Sequence, residues 1–467
     1  MDIKNIELKE YLQKFLGEEL LPFLHSRPEP PAIRINRLKT TRDKFLHHLG
    51  KLGQTYRVIP FNPDGLIIDH DDLPLSHSLA FFTGQFNYQG IASQLPVILL
   101  DVRPGEKVLD MAASPGSKST QIAGHLQQTG LLILNDPSME RLQALNANMQ
   151  KSGAVNHYTL KMRGERFGTL YPEYFDKILI DAPCTALGNL SENHEVHHWW
   201  SLEKLRKLNN IQDHMLIAAY KSLRAGGEMV YSTCSVAPEE NELVVQRLLD
   251  KYPVSVLPPP EQIARQFDQG YSRYRDQRLH PDLCHAVRVL PHKHQMEGFF
   301  AVRLRKEDAF KNDPDKHIDL SPTMISTDPD IAPILEMLSE TWGIKPEIWT
   351  PYRFLLTKTR IWMTAGQVEG IPRRELISAG LLLAEKRISG WKLVNASAQY
   401  FRKKIQKRTL ELDPKDLVRL FYEMRIPFKG EKANYYILTC QGEPIASVYS
   451  SGTALQLRSS HRYRLVI

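Results

Sequence analysis

The chain has few cysteines and spaces none of them for a metal. The four, Cys184, Cys234, Cys284 and Cys440, form no C-x-x-C pair. That excludes a zinc ribbon and a thioredoxin-like motif. Four in 467 residues is too sparse for a disulfide framework, so free thiols in a reducing cytoplasm are expected. No run of about 18 apolar residues occurs, so no membrane-spanning helix is expected. The opening stretch MDIKNIELKEYLQKFLGEELL lacks the apolar core and small-residue cleavage site of a signal peptide. Strong charge of one sign is also missing. The 60 Lys and Arg outnumber 53 Asp and Glu to leave +7, an excess that suits a polyanion without demanding one. No internal repeat is visible, so a repeat architecture is not expected.

What is present divides into three units joined by one linker. Residues 1–97 read as a small α+β unit: a helix, a strand at Ala32–Asn36, a helix from about Thr41, then short strands in YRVIPFNPDGLIIDH. Residues 98–306 alternate. KVLD (107–110), LLILN (131–135), KILID (177–181) and GEMVYST (227–233) are strands separated by helical patterns, which implies right-handed crossovers and a parallel sheet. HAVRVLP (285–291) and GFFAVRLR (298–305) read as a hairpin that gives the sheet an antiparallel edge. Residues 307–330 are polar and charged and read as a linker. Residues 331–467 begin helical and end β-rich.

The turn VLDMAASPGSKST follows a strand and opens a helix. Its small residues, Ala112, Ala113, Ser114, Pro115, Gly116 and Ser117, let backbone approach a ligand, and the helix start offers N–H groups to a carboxylate. Asp136 ends the next strand, where an acid can accept both hydroxyl hydrogens of a ribose. Asp-Pro-Ser is equally good turn chemistry, so Asp136 has a second reading as a turn residue.

Asp181 and Cys184 lie just past the end of one strand, and Cys234 lies past the end of the next. Ligands of open parallel sheets sit outside those carboxyl ends, so the two thiols can share a pocket. Either alone reads as a small buried hydrophobe. Together they suit one reaction. Cytosine C5 is a poor nucleophile until a thiolate adds to C6, and a carboxyl group such as Asp181 can stabilise the adduct at N3. Cys284 and Cys440 have no such context and read as packing residues.

These motifs resemble the NOL1/NOP2/Sun family of RNA cytosine-C5 methyltransferases, in particular its bacterial ribosomal branch. The likeness runs from Arg34-Ile35-Asn36-Arg37-Leu38-Lys39 through GQFNYQGIASQLP (84–96), A-x-P-G-x-K, DAPC and TCS to GFFAVRL (298–304). It weakens into a PUA-like tail over 375–467. The resemblance implies a class I, Rossmann-like methyltransferase fold. Its seven-stranded, mostly parallel sheet is flanked by the N-terminal α+β unit and a C-terminal PUA-like RNA-binding domain. It implies S-adenosylmethionine as cofactor, held by residues 112–118 and Asp136, with Asp181 between cofactor and base. Cys234 would be the nucleophile, Cys184 the cysteine that aids release, and Lys118 a support for catalysis. The implied partner is RNA, ribosomal before transfer RNA, bound by a cytoplasmic monomer without membrane contact. A ribosome-assembly factor with an inactive site is the reading from another class.

Three motifs depart from the family pattern. Ser114 replaces the usual Ala before Pro. DAPCTALG, with Thr185, Ala186 and Leu187, replaces D-A-P-C-S-G-x-G. Arg163 falls where the family has an acid for adenine, with Glu165 as a possible substitute. His194-Glu195-Val196-His197-His198 matches the H-E-x-x-H zinc pattern, but no third ligand follows and no metal is expected. Basic residues meet aromatics at Arg402, Lys403, Lys404, Lys407 and Arg408, and again at Arg458, His461, Arg462, Tyr463 and Arg464. That mixture suits RNA backbone and stacked bases, or for the first cluster a solvated face.

Overall fold

A computed structural model of the chain describes residues 5–26, 31–69, 74–190, 195–308, 329–365, 374–388, 390–458 and 465. Near the N-terminus, β1 (Ala32–Ile35), β2 (Tyr56–Ile59), β3 (Asn62–Ile68) and β4 (Phe86–Tyr88) form an antiparallel sheet in the order β2-β3-β1-β4. The period of two in β1 sorts its side chains. Ile33 and Ile35 pack with Phe45 and Leu49 of the helix Arg42–Lys51, whose first turn is capped by Thr41. Ala32 and Arg34 face the other way, toward the larger sheet.

That larger sheet contains β5 (Lys107–Asp110), β6 (Leu131–Asn135), β7 (His157–Leu160), β8 (Phe175–Asp181), β9 (Leu223–Thr233), β10 (Val254–Leu257) and β11 (Asp268–Gln269). A small ribbon, β12 (Arg273–Tyr274) with β13 (Gln277–Arg278), stands apart, and β14 (Val287–Val289) and β15 (Phe299–Lys306) return to the sheet. The strands β7-β6-β5-β8-β9 are parallel neighbours. Alternate residues feed two cores: Leu109, Ile178 and Tyr231 on one face, Val108, Leu179 and Val230 on the other. A sheet covered on both faces explains why these strands read as continuous apolar runs.

Two features differ from the sequence reading. The β14–β15 hairpin forms and gives the sheet an antiparallel end, but the two-residue β11, not the hairpin, is outermost, and β15 lies between β9 and β14, antiparallel to both. Phe299, Phe300, Ala301 and Val302 are all buried, a run that only a strand covered on both faces accommodates. The far edge is closed by the C-terminal region. Among β16 (Arg353–Leu356), β17 (Arg360–Thr364), β18 (Leu376–Ala379), β19 (Leu381–Arg387) and β20 (Gly390–Leu393), β18 leaves its neighbours and pairs antiparallel with β7. It covers a row of backbone groups that an edge strand would leave open. The other four form a sheet of their own, and a five-stranded sheet follows between Thr409 and Gln456. Among the described residues no helix is long and apolar enough to cross a membrane.

Buried polar side chains tie the first sheet to the helix Ser117–Leu126. The Arg34 guanidinium donates to Gln89 Oε1 at 2.7 Å, Thr120 Oγ1 at 2.7 Å and the Ser117 carbonyl at 3.1 Å. Burial pushes its pKa down to about 9. Gln121 extends the network to Gln89 and to the Gln94 carbonyl. Arg34→Ala leaves Gln89 Oε1 and Thr120 Oγ1 without that donor, while the Ser117 carbonyl keeps Thr120 Oγ1. It is expected to cost about 2–4 kcal/mol in a urea unfolding experiment.

Candidate active site

The site grows from one register. In the parallel pair β8–β9, Asp181 lies opposite Ser232, so Cys184 and Cys234 leave the sheet side by side. Their sulfurs are 3.3 Å apart, and both side chains are half-buried. The hydrogen bond with Cys234, then burial, push the Cys184 thiol well above its usual range.

Asp181 is held from both sides. Ser232 Oγ donates to Oδ1 at 2.9 Å, and Lys118 Nζ approaches Oδ2 at 2.8 Å. Burial alone would push the Lys118 ammonium down. Asp181 outweighs it, with smaller help from Glu297 and Cys234, and the pKa is raised. Lys118 also donates to Ser93 Oγ at 3.0 Å and lies over the Phe299 ring. Glu297 accepts from the Ser93 amide at 2.9 Å. Thus Lys118, Asp181, Cys184 and Cys234 come together. Ser93 and Glu297, which the sequence reading missed, come with them from two distant segments.

The loops carrying the thiols are bound to each other through backbone and one buried acid. Gly188 N donates to the Cys234 carbonyl at 2.9 Å, and Gly298 N donates to the Gly188 carbonyl at 3.0 Å. A Cβ on Gly188 would lie 2.2 Å from the Gly298 carbonyl oxygen, so only glycine fits. Glu240 is fully buried. It accepts from Thr185 N at 2.8 Å, from Thr185 Oγ1 and from Gln212 Nε2 at 3.2 Å, and Gln212 also donates to the Pro183 carbonyl at 2.9 Å. Burial raises the Glu240 pKa against those bonds. Glu240 was not legible as a site residue, because its partners lie 28 and 55 positions away.

At the other half of the site, the turn 112–118 leads into the helix Ser117–Leu126, with Gly116 at φ +107°. Asn135 ties the strand ends together, donating to the carbonyls of Met111 and Met162 at 3.0 Å each. The turn reading of Asp136 is the one seen directly. Its Oδ1 accepts from Ser138 N at 2.9 Å, the turn bond, while its buried Oδ2 takes no hydrogen bond and has only the half-exposed Arg141 guanidinium at 3.2 Å. Asp110 Oδ1 and Ser114 Oγ are likewise buried without a hydrogen-bond partner. Three such atoms around one turn fit a polar ligand such as the amino-acid and ribose parts of S-adenosylmethionine. Arg163 is exposed and pairs with Glu165, the acid that could stand in for the missing one, at 3.0 Å.

Of the zinc-like pattern, His194 lies outside the described residues. Val196–Trp199 is a helical turn, and Trp200 packs against Tyr11 with ring centroids 5.0 Å apart. The first basic cluster is partly engaged: Arg402 donates to the Lys39 carbonyl and Arg408 to Asn434. In the second, Arg458 lies 4.1 Å over the Tyr449 ring, and 461–464 are outside the described residues. Cys440 is buried and Cys284 half-buried, both away from the thiol pair.

Two outcomes test this geometry. Burial lifts the Asp110 carboxyl from 3.8 to about 7. Between those values the folded chain holds a proton that the unfolded chain has lost, so stability falls as pH rises through the window. Asp110→Asn is expected to flatten that fall, and urea midpoints on either side of the window measure it. Glu240→Gln replaces an acceptor oxygen by a donor facing Thr185 and Gln212. A loss of about 1–3 kcal/mol in thermal or urea unfolding is expected.

Known proteins place this arrangement. The family described as 16S rRNA methyltransferase RsmB/F matches residues 97–305. Ribosomal RNA small subunit methyltransferase F of Aeromonas salmonicida is 32% identical over 83% of this chain and 80% of its own length. The 26S rRNA (cytosine-C(5))-methyltransferase nsun-1 of Caenorhabditis elegans is 34% identical over 62% of this chain, which spans only 44% of that longer protein. Among solved structures, a methyltransferase homolog protein from Pyrococcus horikoshii is similar with TM-score 0.58 and 29% identity, over 64% of this chain and 95% of that one. NSun6 from the same organism gives 0.56 and 26%, over 65% and 98%. With four fifths of a relative matched at this identity and the paired strand-end cysteines in hand, the chain belongs to the RsmB/F family of 16S rRNA methyltransferases.

Proposed function

We propose that this chain methylates C5 of a cytidine in 16S ribosomal RNA, with Cys234 as nucleophile. The observation that carries the reading is the pair of thiols 3.3 Å apart at neighbouring strand ends, beside the Lys118–Asp181 ion pair. Cys234 sulfur forms a bond to C6 of the base, and the ring electrons shift toward C5 and N3. Asp181 stabilises the adduct at N3, and Lys118 and Ser232 fix its carboxylate in place. S-adenosylmethionine, when bound, supplies an electrophilic methyl group. Residues 112–118 hold its methionine part and Asp136 its ribose, with Arg163 and Glu165 beside the adenine end. Release of product requires loss of the C5 proton and return of the S–C6 electrons to Cys234. Cys184, 3.3 Å from that sulfur, assists the step by taking the C5 proton once its own thiol has ionised.

Ribosomal RNA is favoured over transfer RNA because the relatives matched over most of their length carry ribosomal names. The N-terminal sheet and the C-terminal region, read as PUA-like, grip the RNA while the base is turned out of its stack. The protein acts as a cytoplasmic monomer on RNA or on a ribosomal subunit.

RNA containing 5-azacytidine, incubated with the protein and S-adenosylmethionine, is expected to give a covalent adduct resolved on a denaturing gel. Cys234→Ala abolishes the adduct, and Cys184→Ala leaves adducts unresolved even on unmodified RNA. Lys118→Met lowers turnover by roughly 100-fold or more, the scale of losing a group that positions a proton-handling carboxyl. No adduct with any cellular RNA would sink the reading.

A further inference from the structure

A second pocket of about 520 Å³ lies outside the site just described. Its walls are Tyr11, Lys14 and Phe15 of the helix Ile6–Leu16 on one side and Tyr271, Arg273, Tyr274 and Arg275 around the β12–β13 ribbon on the other. Four of these seven residues are aromatic and the other three are cationic. That mixture is unusual in a structural crevice, where cations are expected to be paired with carboxylates.

The rings are fixed before anything binds. Tyr11 and Tyr274 both donate to Glu239, at 2.6 and 2.9 Å, and Arg275 reaches the same carboxylate at 3.1 Å. Phe15 meets Tyr271 edge-on with centroids 6.2 Å apart. The Arg288 guanidinium lies 4.1 Å from the Tyr271 ring centre and is itself locked in a two-pronged bond to Glu242 at 2.6 and 2.8 Å. One carboxylate thus serves the tyrosines and Arg275. Lys14 and Arg273 are exposed, and among the described residues no carboxylate pairs with them.

The pocket is also close to the chemistry along the chain. Glu239, which binds Tyr11, Tyr274 and Arg275 of its walls, precedes Glu240, which holds the Cys184 loop, and both lie in the turn that follows β9 and Cys234. Strand-end turns of one sheet face one side, so an RNA strand leaving the thiols runs past this turn.

We propose that the pocket binds an unpaired nucleotide flanking the target cytidine. Its base lies against the tyrosine and phenylalanine rings, and its phosphate lies among Lys14, Arg273 and Arg275. The proposal rests on the RNA-modifying reading above for the position of the strand. Stacking on aromatic rings tolerates any base, and the two unpaired cations neutralise backbone charge. The pocket therefore supplies affinity and direction to the strand without adding sequence preference.

The test uses the full chain and a fluorescent oligouridylate, with affinity measured over a range of salt concentrations. Tyr274→Ala is expected to weaken binding on the order of 10-fold, whereas Tyr274→Phe, which keeps the ring and loses the bond to Glu239, stays within about twofold. The double reversal Lys14→Glu with Arg273→Glu is expected to weaken binding by about 10-fold or more and to reduce the salt slope by about one to two. Both residues are exposed, so an unchanged melting temperature accompanies the loss. A 4-thiouridine probe should crosslink to the peptide containing Tyr271 or Tyr274. Wild-type affinity in all three variants overturns the proposal, and is the result expected if the pocket serves a protein partner. Equal losses in Tyr274→Phe and Tyr274→Ala overturn it as well, since the hydroxyl contact and not the ring would then matter. Oligouridylate contains no cytidine, which separates the two readings. A chain that binds it through this pocket yet forms no Cys234 adduct keeps the pocket and loses the enzyme. A chain that forms the adduct with affinity untouched by the variants keeps the enzyme and loses the pocket.

Discussion

The site depends on one parallel pairing. If β8 and β9 slipped by a residue, Asp181 would no longer stand beside Ser232, and every side chain of the slipped strand would change face. The two buried cores prevent the slip. Ile178 and Ile180 feed one and Leu179 the other, so no alternative register buries all three with their partners. The 3.3 Å sulfur contact is thus a consequence of apolar patterning in strands that contain neither sulfur. Beyond the strand ends, Gly188 and Gly298 through backbone bonds, and Glu240 through its carboxylate, carry the same alignment into the loops.

A second constraint couples the N-terminal sheet to the turn at 112–118. Arg34 of β1 reaches across to Ser117 and Thr120, while Ser93, just after β4, receives a hydrogen from Lys118. The residue that fixes Asp181 is therefore itself held by the first hundred residues. A unit that looks like an accessory in sequence is part of the wall of the site. At the opposite edge, β18 performs the corresponding service for β7. The three sequence units meet through shared hydrogen bonds, not through loose surfaces.

Much of this was legible in the sequence, for local reasons. Strand-turn-helix corners have local signatures, so β5, β6, β8 and the turn at 112–118 could be read directly. Cys184, Cys234, Asp181 and Lys118 each sit at such a corner. What could not be read depends on which strand pairs with which. The reversed strand looked like an edge because its hairpin partner is near in sequence, whereas its other neighbour, β9, lies some 70 residues away. The pairing of β18 with β7 bridges more than 200 residues. Asp110 and Glu240 are acids whose burial only the assembled core reveals, and Glu297 reaches Ser93 across 204 positions. Asp136 shows the limit of residue-level alternatives: one oxygen makes the turn bond, and the other is buried with no hydrogen bond and only the Arg141 guanidinium beside it.

The altered DAPCTALG loop bears on whether the site is working or decayed. Ala186 adopts φ +55°, ψ +30°, where the family pattern has glycine. An L-residue in that conformation costs roughly 1–2 kcal/mol. Decay would leave that cost uncompensated. Here the next residue, Leu187, is fully buried with Leu8, Leu12 and Trp200. Burying a leucine side chain contributes roughly 1.5–3 kcal/mol, enough to offset the strain. Thr185 keeps the hydroxyl that a serine would offer, donates it to Glu240, and is itself fully buried. The loop thus packs Leu187 against the N-terminal helices while Thr185 and Gly188 hydrogen-bond it to Glu240 and to the Cys234 carbonyl. That is the signature of a site maintained under a different local solution, and it weighs against an inactive RNA-binding factor.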